Sequence, residues 1–334
     1  MRLKFSFLFI LVALLLNACG QKATEVVPTL IPTNTPIPLP TFTPTPSTPL
    51  AILVVPADME AAVSSLYQTT VYDLAQQSGF RFQVRNSLIP SDLADPTLKV
   101  VIVLPPDPGV IALAPSASQA QFLAVNIPNV SPGGNVSVLS PNTQVEFPAF
   151  LAGYTAAMLI DDYRIGMIVP KDNPDAQRAL KAFQDGMVFY CGLCRPFYYL
   201  DWTFPQSIDV PADEKEDRYG AYANYLAVDR KVEAIYVYPD LAKPDFLTYI
   251  GTIGALQIGV TTPSPMPAGW VMTIQPDVIK AVQLAWPNLV AGQGGAAVQS
   301  PLGLTDVDPA LLSPGRQRLV QQTLDDLLAG RIVP

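Results

Sequence analysis

The sequence predicts an α/β protein whose parallel sheets are flanked by helices and divided between two lobes. Three observations carry that expectation. Short apolar runs rich in β-branched residues alternate with helical patterns from Ala51 to the end. No internal repeat of solenoid length is present. A chain of 334 residues is long enough to bury more than one core.

The stretch that organises the rest runs from Asn142 to Phe183. Phe147, Phe150, Leu151, Tyr154 and Met158 recur at the spacing of one helical face, which predicts an amphipathic helix ending near Asp161 and Asp162. Arg164 to Val169 then reads as a buried strand closed by Pro170. Lys171, Asp172 and Asn173 form a polar loop. Asn173 is placed as the cap of the next helix, Pro174 as its first residue, and Leu180, Phe183 and Met187 as its inward stripe. Ligands of open α/β sheets sit outside the carboxyl ends of the strands, so this loop is expected to face a binding crevice.

The other elements follow in order. Strands are expected at Ala51–Val55, Arg81–Arg85, Lys99–Leu104, Gln121–Asn126 and Val136–Leu139, with a helix from about Met59 to Gln77 stopped at Gly79. Beyond the central stretch come a strand at Phe197–Asp201, a helix from about Lys215 to Val228, and a strand at Ala234–Tyr238. A short helix near Phe246–Leu256 and strands at Gln257–Val260 and Val271–Ile274 follow. Pro276–Val290 is helical, with Val278, Ile279, Val282, Trp286 and Leu289 on one face. The last helix is capped by Ser313, starts at Pro314, turns Leu319, Thr323, Leu324, Leu327 and Leu328 inward, and ends at Gly330. Trp202, Trp270 and Trp286 are expected in the core or at a lobe edge.

The amino-terminal region has a different character. Arg2 and Lys4 precede an apolar run, Phe5 to Leu16, that is too short to span a bilayer, and Leu16-Asn17-Ala18-Cys19-Gly20 reads as a lipobox. Residues 1–18 are then a signal peptide and Cys19 the lipidated residue, anchoring the protein outside the cytoplasm of a bacterium. Several acyl chains give stable anchoring where one does not. From Pro28 to Pro49 prolines interleave with threonines; such a tract cannot bury enough surface to fold and favours extended polyproline II. At ~3.1 Å per residue, residues 19–49 are expected to act as a stalk whose proline-rich part reaches about 70 Å; a proline-rich ligand for a partner domain is the other reading. The remainder, 50–334, is assigned to the two lobes, about 50–160 and 163–250, each completed by part of 255–334.

Bulk composition narrows the function. Charged residues make up 14% of the chain, apolar residues 49%, and the net charge is −8. With no basic cluster, nucleic acid is not expected as a partner. Histidine is absent, which excludes His-dependent triads and His-ligated zinc. No Gly-x-Ser-x-Gly elbow is present, which ranks an extracellular hydrolase last; enzymes using carboxylates or Lys stay open, but a non-enzyme without cofactor or metal is expected. Cys191-Gly192-Leu193-Cys194 lies where a helix ends. An oxidising compartment favours a structural disulfide; free thiols remain open, whereas a redox pair belongs at a helix amino terminus and a metal site needs more ligands.

Several of these residues also carry a family resemblance. Glu146, then Phe150-Leu151-Ala152-Gly153, Ala156-Ala157 and the strand Ile165-Gly166-Met167-Ile168 resemble a block of the basic membrane protein (BMP) family of substrate-binding lipoproteins. Phe183-Gln184-Asp185-Gly186 resembles that family's Phe-x-x-Gly helix, and Leu324 to Pro334 its closing helix and tail. The resemblance implies a type I periplasmic-binding fold closing on a small-molecule ligand, often a purine nucleoside, and delivering it to the permease of an ABC importer. Two positions depart from the family pattern. Leu66 and Tyr67 stand where it carries Phe and Asn, and Ile258-Gly259-Val260 is followed by Thr261 and Thr262 where it carries an acid.

Placing contacts at strand carboxyl ends nominates Asp58, Tyr67, Asp107, Lys171, Asp172, Tyr238, Asp240, Thr261 and Thr262 as ligand-binding residues. Tyr67 and Tyr238 can stack on a flat ring and use their hydroxyls as polar handles. The plainer role of each nominated tyrosine is packing, and of Lys171, Asp172 and Asp240 solvation or helix capping. Glu146 is expected to pack or cap near its helix start. The stiff loops Pro105-Pro106-Asp107-Pro108 and Thr262–Pro267 are expected at a cleft rim or hinge. A sensor or protein-interaction lipoprotein with a degenerate pocket is the alternative on the same scaffold.

Overall fold

The computed structural model describes residues 47–194 and 203–334, within which the strands fall into two six-stranded sheets. Cys19, nearly all of the proline-rich tract, the strand expected at 197–201 and Trp202 lie outside the described residues. Ser47–Pro334 forms one compact unit.

The chain first lays down most of one sheet. β1 (Leu50–Val54) is followed by α1 (Ala61–Gln77), β2 (Arg81–Arg85), α2 (Pro90–Leu93) and β3 (Leu98–Val103). After α3 (Val110–Leu113) come β4 (Gln121–Val125) and β5 (Val136–Ser140). All of these strands pair in parallel. Both faces of the sheet are covered, which is why β1 reads as an unbroken apolar run. Ile52, Val101, Val103 and Phe122 enter one core, while Leu53, Val100, Ile102 and Leu123 enter the other with Val71 of α1.

The chain then crosses at 141–145 and builds the second lobe: α4 (Glu146–Leu159), β6 (Ile165–Pro170), α5 (Pro174–Cys191), β7 (Gln206–Val210) and α6 (Tyr219–Asn224). A π-helical turn at Tyr225–Asp229, β8 (Ala234–Val237), α7 (Pro244–Thr252), β9 (Leu256–Gly259) and β10 (Trp270–Pro276) complete this pass. α8 (Val278–Val290) returns to the first lobe, where Val282 and Trp286 pack with α1, and β11 (Ala297–Gln299) adds in parallel beside β5. The final crossing leads to β12 (Leu302–Thr305), antiparallel to β10, and to α9 (Pro314–Leu328), whose Leu324 and Leu327 join the second core. The strand orders are β11-β5-β4-β3-β1-β2 and β12-β10-β9-β8-β6-β7.

Four expectations need correction. Leu319 and Leu328 of α9, expected inward, are exposed, because the face that meets the second core carries Val320, Thr323, Leu324 and Leu327. α4 is not amphipathic: every residue from Pro148 to Met158 is buried, because α5, α9 and the sheet surround it. For the same reason α4 belongs to the second lobe, so the lobe boundary falls at 141–145 and not near 160. The helix expected over 215–228 is broken into a 3-10 turn at Glu216–Arg218, α6 and the π turn.

α4 and α5 meet through glycine. A Cβ built on Gly153 would lie 2.0 Å from the Phe183 carbonyl oxygen, and one on Gly186 would lie 1.9 Å from that of Phe150. The two resemblance blocks therefore meet in space at backbone contact.

Candidate functional site

Topology decides where the carboxyl ends of both sheets point. β5 ends at the first crossing, and β1, β3 and β4 run parallel to it, so their carboxyl ends point the same way. β10 ends at the second crossing, with β9, β8 and β6 parallel in turn. Both sets of strand ends are directed at the crossings, which is the crevice geometry of open α/β sheets.

On the first lobe, Asp58 is exposed in the loop after β1. Tyr67 is half-buried on α1 against the sheet core, and burial pushes its phenol pKa up. The Asp107 carboxylate accepts from the backbone N–H groups of Gly109 and Val110, both at 2.9 Å, and so opens α3. On the second lobe, Lys171 and Asp172 are exposed after β6, with Asp172 in the left-handed region at φ 59°. Tyr238 is buried, while Asp240 and Thr261 are exposed. The Thr262 hydroxyl meets that of Thr273 at 2.6 Å and donates to the Asp306 carboxylate, and Thr273 also accepts from Trp270 Nε1 at 3.1 Å. That hydroxyl is engaged inside the second lobe. Among the described residues, no hydrogen bond or ion pair joins the first-lobe set to the second-lobe set.

The structure does gather several groups at the amino ends of α4 and α5. Asn173 caps α5, accepting from Asp175 and Ala176 N–H groups at 2.9 and 3.1 Å. Arg178 pairs with Glu146 at 2.5 Å and Asp175 at 2.8 Å. Burial raises the Glu146 carboxyl pKa, but hydrogen bonding to Arg178 and to backbone N–H groups outweighs it and holds the group below the usual range. Tyr238 lies in the field of this cluster; burial first, then the Asp240 and Asp175 charges, push its phenol up.

A cavity of about 230 Å³ opens where the crossings meet the strand ends of the second lobe. Asn142, Thr143 and Gln144 of the first crossing and Tyr236 of β8 supply its polar lining, with Val260 and Ile274 among its apolar walls. None of the nominated ligand residues lines it; Tyr236, Pro239 and Val260 are near neighbours in sequence of Tyr238, Asp240, Thr261 and Thr262 only. Tyr236 is 2% exposed, its ring stacks on Phe183 at 6.0 Å and 11°, and its hydroxyl has no hydrogen-bond partner among the described residues. That hydroxyl is not among the buried polar atoms cut off from solvent, so water reaches it through the cavity. The polar run Asn142-Thr143-Gln144 between a strand and an apolar helix was the sequence signal for this lining. Tyr236 has no comparable signal, because it sits inside an apolar strand. A second cavity of about 770 Å³ borders the same crossings and includes Lys280 and Asp277 of α8 and Gln321 and Asp325 of α9.

Cys191 and Cys194 are joined in a disulfide at the end of α5, with Cα atoms 5.0 Å apart. Among the described residues, no group of Cys, Asp or Glu is placed to hold a metal ion, and no helix is long and apolar enough to cross a membrane.

No protein-family model matches the chain, and no curated protein matches it in sequence. Solved structures do resemble it in fold. An ABC transporter solute-binding protein from Conexibacter woesei is 14% identical, with a TM-score of 0.51 over 86% of this chain and 98% of that one. A transcriptional activator of the comK gene from Bacillus halodurans is 12% identical, with a TM-score of 0.46 over 86% of this chain and 99% of its own. An ABC transporter solute-binding protein from Aeropyrum pernix is 13% identical, with a TM-score of 0.42 over 86% and 93%. The likeness to the Conexibacter protein places the described chain in the two-lobed α/β class of periplasmic-binding-type folds.

Proposed function

We propose that this chain is a non-catalytic solute-binding lipoprotein of an ABC importer, held outside the cytoplasm by lipid on Cys19. Its ligand is a small polar solute, with nucleosides as the first class to test because of the BMP-family resemblance. The observation that carries this reading is the cavity at the crossings, bordered by Asn142, Thr143, Gln144 and Tyr236 on a fold whose strand ends converge there. Asp58, Tyr67, Asp107, Lys171, Asp172, Tyr238, Asp240 and Thr261 then form the walls that approach the solute when the lobes close, and Thr262 supports its loop from within.

One observation favours a second reading, a sensor or protein-interaction lipoprotein on the same scaffold. Thr261 offers no carboxylate for a sugar, and the Thr262 hydroxyl is already spent on Thr273 and Asp306. Thermal unfolding against a solute panel tests the first reading, since a ligand that binds only the folded state raises the melting temperature. Stabilisation by one solute without its conversion supports the importer role. A flat response across the panel, combined with capture of the permease failing, removes it.

A further inference from the structure

We infer that the solute is uncharged where it enters the cavity at the crossings, and that the Tyr236 hydroxyl is the group that selects it. This rests on the reading of that cavity as a solute site. Among the described residues the lining carries no charged side chain: its polar groups are two carboxamides and two hydroxyls, from Asn142, Gln144, Thr143 and Tyr236. A carboxylate, phosphate or ammonium placed there would meet no counter-charge in the lining itself, and burying an ion against such a lining is unfavourable. Arg178, at the amino end of α5, is already matched by Glu146 and Asp175.

Tyr236 meets the requirement for a selecting group. It is almost wholly buried, its ring is held flat against Phe183, and its hydroxyl is left without a protein partner beside the cavity. The hydroxyl is the part of the side chain that water reaches through the cavity, and a bound solute displaces that water. A ligand oxygen or ring nitrogen then pairs the hydroxyl, while an apolar isostere leaves it unpaired, and sites built this way discriminate strongly. Asn142 adds to the selection: its Oδ1 is engaged by the Gln144 N–H at 2.9 Å, which leaves the amide nitrogen to donate. At about 230 Å³ the cavity is smaller than the roughly 300–1,000 Å³ of drug-sized pockets, so it takes one ring or a comparably small group.

The test uses the full-length protein in detergent and titrates adenosine, guanosine, inosine, uridine, ribose and glucose against the nucleoside 5′-monophosphates, glutamate and arginine. Expected is a melting-temperature rise with at least one uncharged compound and none with its charged counterpart. Tyr236→Phe should weaken that compound at least tenfold while leaving the ligand-free melting temperature within a few degrees. Val260→Phe, which fills the cavity from its wall, should abolish the response. A charged compound that binds more tightly than every neutral one overturns the inference and leaves solute binding standing. Unchanged affinity in Tyr236→Phe overturns the selecting role. No response to either class removes the underlying solute-binding reading itself.

Discussion

Gly153 and Gly186 bring two helices together at backbone contact, each so close to the other helix that a Cβ would fall only 2.0 and 1.9 Å from a carbonyl oxygen there. Gly153→Ala and Gly186→Ala should each destabilise the protein by roughly 2–4 kcal/mol, since the obstructing atom is backbone and cannot rotate away. Gly315→Ala in the first turn of α9 is the control. No heavy atom lies within 4 Å of its Cβ position, so it should gain about 0.5–1 kcal/mol. Urea unfolding midpoints read all three.

Thr262→Val should cost about 1–2 kcal/mol, because it strips the bonds to Thr273 and Asp306. Thr261→Ala, at an exposed position, should leave stability unchanged. If the two losses came out equal in chemical unfolding, the internal role of Thr262 would be wrong.

The Glu146 carboxyl is held below its usual range, so its stabilising effect is present above its unfolded pKa of about 4.3 and is lost as pH falls through the folded value. Glu146→Gln should therefore be less stable than the parent at neutral pH and show a shallower decline below about pH 4.5. Thermal melts across pH 2.5–7, a range chosen to bracket that ~4.3 reference, check the slope. Added salt should narrow the gap, since Arg178 is open to solvent.

Burial raises the Tyr236 and Tyr238 phenols. Their neutral forms support the fold below about pH 10, and that support is lost as pH rises through the raised values. Tyr236→Phe should shift alkaline unfolding to higher pH. Ultraviolet titration should show Tyr236 among the tyrosines that ionise only as the protein unfolds.

The Cys191–Cys194 bridge closes a very short loop, for which chain entropy allows about 2 kcal/mol. Cys191→Ser with Cys194→Ser should lower stability by no more than that, and reductant should then have no further effect on the variant. A much larger loss would mean that the bond organises more than the end of α5.

The fold was legible wherever burial left a pattern. Unbroken apolar strands and the Asn173-Pro174 helix start are read directly from residue type, and all reappear in place. β11 and β12 were missed because strands of three or four half-exposed residues carry almost no periodicity. The lobe assignment of α4 failed because an all-apolar helix does not reveal which sheet it covers. For the candidate site, the strand-end rule put Tyr238, Asp240, Thr261 and Thr262 one or two positions from residues of the cavity lining and the other nominated residues farther away in sequence. Which of Tyr236 and Tyr238 lines it depends on how far α4 and the first crossing reach over the sheet, and that is a tertiary property.

The three crossings also set a schedule for assembly. The first sheet lacks its outer strand β11 and its covering helix α8 until the chain has been made to about residue 299, and the second lacks β12 and α9 until about residue 328. Neither half holds all of its strands and covering helices before those residues have been made, so both cores stay incomplete through most of the chain's synthesis.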